Sequence, residues 1–362
     1  MQNKKSAKKI GRIALRACAV ILTLVLAIVI TLAVALSLMC SDTFPSAQQM
    51  FVTTILETGN FKFLASVFLS SEEIQAIVDS NSMKELEADV DTGLINIGGS
   101  GNIDVGGDED TPQKEQADIE VFEVSGATYT GTMMIVKDPS RISLATIYPW
   151  RELGVTLDEL VNSNGAIAGI NGGLYSSTNN TGGRPMGVIV SNGEIQHNEP
   201  QEARGLVLVG FTEEHILQIV DISELDKQGI ENLVRDMKIR DAVTFQEEAS
   251  DSNNHFVQLI INNEAREMNG MGSGLNPRTA IGQRADGSVL LFVTDGRGKS
   301  GHLGASSGDL IAVMQEYGAV NAANLDGGSS SCMYYNGEYL KSSVTFYYEN
   351  SSWRLPAGFI VK

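Results

Sequence analysis

The sequence predicts an α+β fold: one mixed-sheet domain with few packed helices, set behind an N-terminal transmembrane helix and a flexible linker. Three observations point there. An uncharged apolar run fills residues 17–39, the composition turns acidic and glycine-rich over 80–118, and short β-branched segments then follow in quick succession. Helices are scattered irregularly among those segments, an order that suits an α+β sheet better than a doubly wound βαβ array.

The apolar run is interrupted only by Cys18, Thr23, Thr31 and Ser37. A hydrocarbon core of ~30 Å needs roughly 20 apolar residues at helical rise, so the run can span it. Lys4, Lys5, Lys8, Lys9, Arg12 and Arg16 precede it with no acid among them. Basic flanks stay inside, so residues 1–16 are expected as a cytoplasmic tail, with everything after Met39 outside the cell membrane in a single-pass arrangement. A cleaved signal peptide would carry a shorter apolar region, ~7–15 residues, and a small-x-small site. Ser37-Leu38-Met39-Cys40 is a poor lipid-attachment box as well, and the run reads as an uncleaved anchor. Setting aside the six basic residues of the tail takes the formal charge from −18 to −24. So acidic a body repels nucleic acid and anionic lipid, which argues against both as partners of the folded part. The three cysteines (18, 40 and 332) cannot form a disulfide framework.

Residues 40–79 read as a helical juxtamembrane stalk: apolar residues recur at near-helical spacing over 48–56, and Ser70-Ser71-Glu72-Glu73 looks like a helix start. Residues 80–118 hold ten acidic residues against two basic ones and no aromatic residue. Such a stretch buries too little apolar surface to offset ordering, and is expected to be a flexible, self-repelling linker. The domain proper is 119–362. Strands are expected near 132–136, 142–147, 166–170, 188–190, 206–209, 257–261 and 289–294, and helices near 156–162 and 309–317.

Several familiar motifs fail on inspection. Gly298-Lys299-Ser300 lacks the earlier glycine of a phosphate-binding P-loop, and Gly270-Met271-Gly272 lacks the third glycine of a dinucleotide fingerprint. Gly304-Ala305-Ser306-Ser307-Gly308 matches a nucleophile elbow, but it leaves a polar loop rather than a strand, and no histidine follows His302. The four histidines (197, 215, 255 and 302) show no helical metal-ligand spacing, so neither a metal site nor a cofactor is expected.

The informative region is 276–331. Asp286-Gly287 separates two apolar runs, a strong hairpin signal. With those two residues as the loop, Arg278 falls opposite Asp295, Cβ atoms ~5 Å apart. Pairing alone leaves an ordinary cross-strand ion pair and a functional pair equally open. Ser306-Ser307-Gly308-Asp309 is a capping box, and its helix start offers backbone N–H groups to an anion. The run 320–325 then enters Asp326-Gly327-Gly328-Ser329-Ser330, a tight turn that can bring backbone close to a ligand. A similar turn follows 166–170: Asn171-Gly172-Gly173-Leu174-Tyr175, where Asn171 can hold sugar hydroxyls and Tyr175 can stack on a sugar ring.

Four motifs in this order, Asn171-Gly172-Gly173, Pro277-Arg278-Thr279-Ala280-Ile281-Gly282, Asp295-Gly296-Arg297 and Asn324-Leu325-Asp326-Gly327-Gly328-Ser329-Ser330, together resemble the phosphodiester glycosidase family. The resemblance covers most of 119–362 and reaches Arg354-Leu355-Pro356; it departs at Ser329, where many members have glycine. It implies a hydrolase acting on the C1–O bond of sugar-1-phosphodiesters, N-acetylglucosamine-like, in envelope or exopolysaccharide-type glycopolymers. The alternative is a phosphoglycan-binding module without turnover. On this reading Arg278 clamps phosphate, assisted by Arg297 and the helix start near Ser307. Asp326 and Asp295 are the candidate carboxylates, Asp326 favoured. Asn171, Gly172, Gly173, Tyr175, Asn324, Gly327, Gly328 and Ser330 shape the sugar side.

Overall fold

A computed structural model describes all residues except 1, 59–60, 87, 99–117 and 346–348, and describes residues 2–10 by backbone alone. The first helix, α1 (Gln2–Met39), contains the apolar run, and its 29-residue stretch Gly11–Met39 is long and apolar enough to cross a membrane. Beyond it α2 (Pro45–Leu56), α3 (Phe63–Phe68) and α4 (Ser71–Ser80) pack around Val52, Leu56, Ala65, Ile74 and Val78. The expected start of α4 is present: Ser70 caps it, and the Glu73 carboxylate returns to the Ser70 N–H in a capping box.

The first part of the expected linker is not free chain. Met83 is buried, the Lys84 N–H donates to the Glu267 carbonyl at 2.9 Å, and the Asn96 N–H donates to the Ala285 carbonyl at 2.8 Å. Asn262 grips the chain between, accepting from the Asp91 N–H and donating to the Asp89 carbonyl. Scattered apolar side chains (Met83, Ile95) and an open strand edge supply what the segment's own composition lacks. The more acidic remainder, 99–117, lies outside the described residues.

The α+β class is observed. A seven-stranded sheet runs 119–125, 130–136, 289–294, 279–284, 319–324, 258–261 and 264–265 in spatial order, and two five-stranded sheets accompany it. Every pairing between named strands among the described residues is antiparallel. One face of each sheet meets a common core: Met134, Leu291 and Ile281 from the large sheet, Val209 and Val243 from the second, Ile170 and Phe359 from the third. Strand alternation sends Met133, Leu290 and Phe292 the other way, against α7 (Ser307–Glu316). α5 (Leu157–Ser163) lies where expected, and α6 (Lys227–Asp236) covers the second sheet through Ile230 and Val234. Strand ends from two sheets thereby meet at the turns after Asn171 and Asn324.

Candidate active site

The strands Ala168–Asn171 and Ala319–Asn324 bring both polar-Gly-Gly turns to one place. Asn171 is wholly buried, and its amide is spent on the scaffold. Its Nδ2 donates to the Asp326 carbonyl at 2.7 Å, while its Oδ1 accepts from Thr279 Oγ1 at 2.7 Å and from the Cys332 N–H at 3.2 Å. Buried and tied to these partners, Asn171 does not present itself to a sugar hydroxyl; the residue positions the Asp326 turn. Tyr175 is likewise packed into a core cluster with Cys332 and Leu355, and its hydroxyl shares a 2.9 Å hydrogen bond with Ser330 Oγ. Its ring is not offered for stacking. Gly173 is needed for close packing, since a Cβ there would lie 2.2 Å from the Thr244 carbonyl oxygen; Gly172 has the Ala357 carbonyl at 3.1 Å from the same position.

The second turn is different. Burial pushes the Asp326 carboxyl up to about 7, against the opposing pull of the Ser330 hydroxyl, the Gly327 N–H and Arg297. A carboxyl poised near neutrality can accept or give a proton. Gly327 passes close to the Pro277 carbonyl, 2.9 Å from where a Cβ would stand. Gly328 takes a left-handed φ of 61° and donates its N–H to the same carbonyl. The Arg297 guanidinium folds over this glycine, donating from Nη1 to Ser329 Oγ at 3.1 Å and from Nε to Asn276 Oδ1 at 3.2 Å. Asn324 is buried beneath, its Nδ2 donating to the Phe256 carbonyl and its Oδ1 unpartnered among the described residues.

Arg278 and Asp295 do not face each other. The ladder pairs Thr279 with Val293 and Gln283 with Val289, one residue off the expected register. The loop is Ala285-Asp286-Gly287, with Arg284 bonded to Ser288 and Gly287 at φ 87°, a three-residue turn with a left-handed third position rather than a two-residue one. A one-residue slip reverses the facing of every side chain. Thr294 therefore stands opposite Arg278, its N–H bonded to the Arg278 carbonyl, and Asp295 points elsewhere.

Arg278 is buried, and its guanidinium is engaged through Nε and Nη2. It donates to the Ala305 carbonyl, Ser273 Oγ and the Gly274 carbonyl, and pairs with Glu57 Oε2 at 2.5 Å. Glu57 caps the C-terminal end of α2 and is buried too; it also accepts from the Gly274 N–H at 2.7 Å and the Asn276 amide. Burial raises its carboxyl to about 7 despite Arg278 and the Gly274 N–H. The helix approaches so closely that a Cβ at Gly274 would stand 2.2 Å from the Thr54 Cα. Ser273 Oγ also accepts from both the N–H and hydroxyl of Ser307, so that N–H of the α7 start is already satisfied. His255 nearby is held neutral, its pKa lowered to about 3 by burial, Lys62 and Arg278.

Asp295 belongs to a separate cluster. Its carboxylate accepts from the Thr130 N–H and hydroxyl, at 2.8 and 2.6 Å, and pairs with His302 Nδ1 at 2.8 Å. Burial pushes this carboxyl up, but those partners and Lys341 outweigh it and hold it below its ordinary range.

Sequence reasoning missed Glu57, Ser273, Asn276 and His302. Glu57 was open to detection: it is one of two charged residues, with Lys62, between Thr43 and Ser71, an isolated carboxylate in an otherwise neutral stretch. Nothing local in sequence ties it to Arg278.

Among known proteins, the chain is 23% identical over 253 residues to the mouse N-acetylglucosamine-1-phosphodiester alpha-N-acetylglucosaminidase, which covers 65% of this chain and 45% of that one. It thus spans less than half of the mouse protein's length. A SPbeta prophage-derived protein of Bacillus subtilis (strain 168), YomE, is 37% identical over 67 residues, 18% of this chain and 10% of that protein. The solved catalytic domain of the zebrafish N-acetylglucosamine-1-phosphodiester alpha-N-acetylglucosaminidase, auto-inhibited by its pro-peptide, shares the fold with a TM-score of 0.52 at 16% identity. That match covers 68% of this chain and 84% of the zebrafish one. The phosphodiester glycosidase profile matches residues 164–362, more than half of the chain and all of the turns described above, and the protein belongs to the phosphodiester glycosidase family.

Proposed function

We propose that this protein is an extracytoplasmic hydrolase that cleaves the glycosyl C1–O bond of sugar-1-phosphodiesters, N-acetylglucosamine-like, in envelope or extracellular glycopolymers. The observation that carries this reading is Asp326: a carboxyl raised to about 7, on a turn that lets backbone approach, beneath the Arg297 guanidinium. A phosphodiester is already a good leaving group, so little general-acid help is required. Arg297 and Arg278 hold the phosphate and take up the charge that the departing oxygen carries to it. Asp326 either takes the proton of the attacking water or attacks C1 itself. The basic residues before the α1 span support the placement of the domain outside the cytoplasm.

Glu57 belongs to this reading as a stand-in for the substrate's anion. Its carboxylate occupies Arg278 Nη2, so substrate entry requires α2 to withdraw Glu57. In the zebrafish relative a pro-peptide inhibits the catalytic domain, and the α2–α4 unit serves here as a comparable cover, one carried on the membrane anchor.

The test uses the full-length protein in detergent with a synthetic sugar-1-phosphodiester, and measures released sugar for the wild type, Glu57→Gln and Asp326→Asn. Release by the wild type or by Glu57→Gln, absent in Asp326→Asn, is the expected result. Saturable binding without release by any form points to the phosphoglycan-binding module instead.

A further inference from the structure

The loop that carries Arg297 continues into a second charged cluster which the chemistry above does not use. Arg297, Gly298, Ser300 and Gly301 all have left-handed φ, between 53° and 86°. Two of these are not glycine, and such backbone is held only where surrounding contacts over-determine it. The contacts here differ along the loop: Arg297 reaches Ser329, Lys299 reaches the hydroxyl and carbonyl of Ser342, and His302 reaches Asp295. Lys341 arrives from the neighbouring sheet and donates to Thr130 Oγ1 at 3.1 Å, the same hydroxyl that donates to Asp295.

Two lysines and a histidine thus surround one buried carboxylate, in a body of strongly negative net charge. That carboxylate is already committed to Thr130 and His302. The other acids nearby are Glu123, which acts on Lys341, and Glu349. Partial desolvation lowers the pKa of both Lys299 and Lys341, a cost that a bound anion would offset. Beside Lys299 lies a cavity of about 350 Å³, bordered also by Ser343, Thr345, Glu349 and Asn350. Arg297 and Lys299 are two residues apart, so their Cα atoms are separated by at most about 7 Å.

We propose that Lys299, Lys341 and His302 form an anion subsite that binds a second phosphate of the substrate, one repeat away from the scissile phosphodiester. The inference rests on the proposed hydrolase reading and narrows its substrate class to chains with repeated phosphates. Lys299 is exposed, so the subsite is accessible even while Glu57 occupies Arg278.

Two measurements on the full-length protein in detergent decide it. Calorimetric titration with inorganic tripolyphosphate at low salt should show binding that weakens at least about tenfold in Lys299→Gln/Lys341→Gln, the size expected when charge-assisted hydrogen bonds are removed. The single Lys299→Gln change, at an exposed position, should show a smaller fall in the same direction, with thermal melting confirming its fold. Wild-type protein that does not bind tripolyphosphate, or a folded variant that binds it equally, overturns the subsite. In the kinetic arm the variant should raise KM about tenfold for an oligomer with several phosphates at constant kcat, and leave a substrate with one phosphodiester unaffected. Equal KM effects on both substrates also count against it. If no form releases sugar from either substrate, the hydrolase reading fails, and the titration alone then decides whether the anion subsite exists.

Discussion

Asn171-Gly172-Gly173 and Asp326-Gly327-Gly328 look alike in sequence, and the fold presses them together through a 2.7 Å hydrogen bond. Their chemistry nevertheless diverges. An amide can donate and accept at once, and Asn171 uses both capacities to tie a turn and two strands from different sheets. An ionised carboxylate can only accept, and the Asp326 turn offers it too few donors to offset its burial, so its proton stays within reach of neutral pH. Each strand end thus takes the group its surroundings reward, an amide for the scaffold and a carboxyl for the proposed chemistry.

Asp326→Asn tests the reactive side and carries the largest expected effect. Asparagine suits the turn, so the variant should fold, while turnover of a sugar-1-phosphodiester should drop about 10³-fold, within the range for a lost general base. Stability should move the opposite way. A carboxyl whose folded pKa lies above its unfolded one adds stability at low pH and loses it as pH rises through about 7. The asparagine variant lacks that loss, so above pH 7 it should melt no lower than the wild type. An active Asp326→Asn protein would place both turns in the scaffold and break the comparison.

Asn171→Ala tests the other side. It strands the Thr279 hydroxyl, the Cys332 N–H and the Asp326 carbonyl. Stability should fall by roughly 2–4 kcal/mol, since each buried unsatisfied group costs about 1–3 kcal/mol and neighbouring groups relax together. The folded fraction should keep far more activity than Asp326→Asn. Urea unfolding measures the first quantity, and rates normalised to folded protein measure the second.

How much of this was legible in sequence follows the range of the interactions. The helix start before α4, the capping box before α7, the strand periodicity and the apolar span are fixed by residues a few positions apart, and each appears where expected. The two polar-Gly-Gly turns were visible as motifs, but an amide buried in a scaffold and one that binds sugar have the same spelling; only the third dimension separates them. The hairpin register failed by one residue because Asp-Gly fits the last two places of a three-residue loop as well as a two-residue turn. Glu57 stood out as an isolated carboxylate, but its pairing was beyond reach, because Arg278 lies more than two hundred residues downstream and the contact depends on how α2 docks.

Glu57 sharpens the comparison by adding a second raised carboxyl, delivered by a helix rather than a turn. Glu57→Gln keeps the shape but removes the charge that pairs with Arg278. Release of α2 should then be easier, and activity should rise about three- to tenfold, the yield of losing ~1 kcal/mol from the closed form. Limited proteolysis between α2 and α4 should accelerate in parallel. If Glu57→Gln instead abolishes activity while the fold persists, Glu57 takes part in the reaction, and the site has two working carboxyls rather than one.

That release should also depend on pH. In the closed form burial holds the Glu57 carboxyl at about 7; once withdrawn into water, it returns to the ordinary range near 4.3. Between those values the closed form binds more protons than the open one, so raising the pH favours opening, by at most about tenfold per pH unit, and the gain levels off above 7. The other groups in reach do not supply this slope. His255 is held neutral across the window, while burial pulls Lys62 down from the ordinary lysine range against the opposing effect of Glu248 and Glu57. Asp326 acts on Arg297, which in turn acts on Glu57, so its contribution has to be separated by substitution. Amide hydrogen exchange at Gly274, whose N–H donates to Glu57, reports the opening directly. After correction for the intrinsic pH dependence of exchange, the wild type and Asp326→Asn should open increasingly from pH 5 to 7, and Glu57→Gln should not. A slope that survives in Glu57→Gln but disappears in Asp326→Asn would assign the proton to the turn, and leave the helix carboxyl as a passive strut.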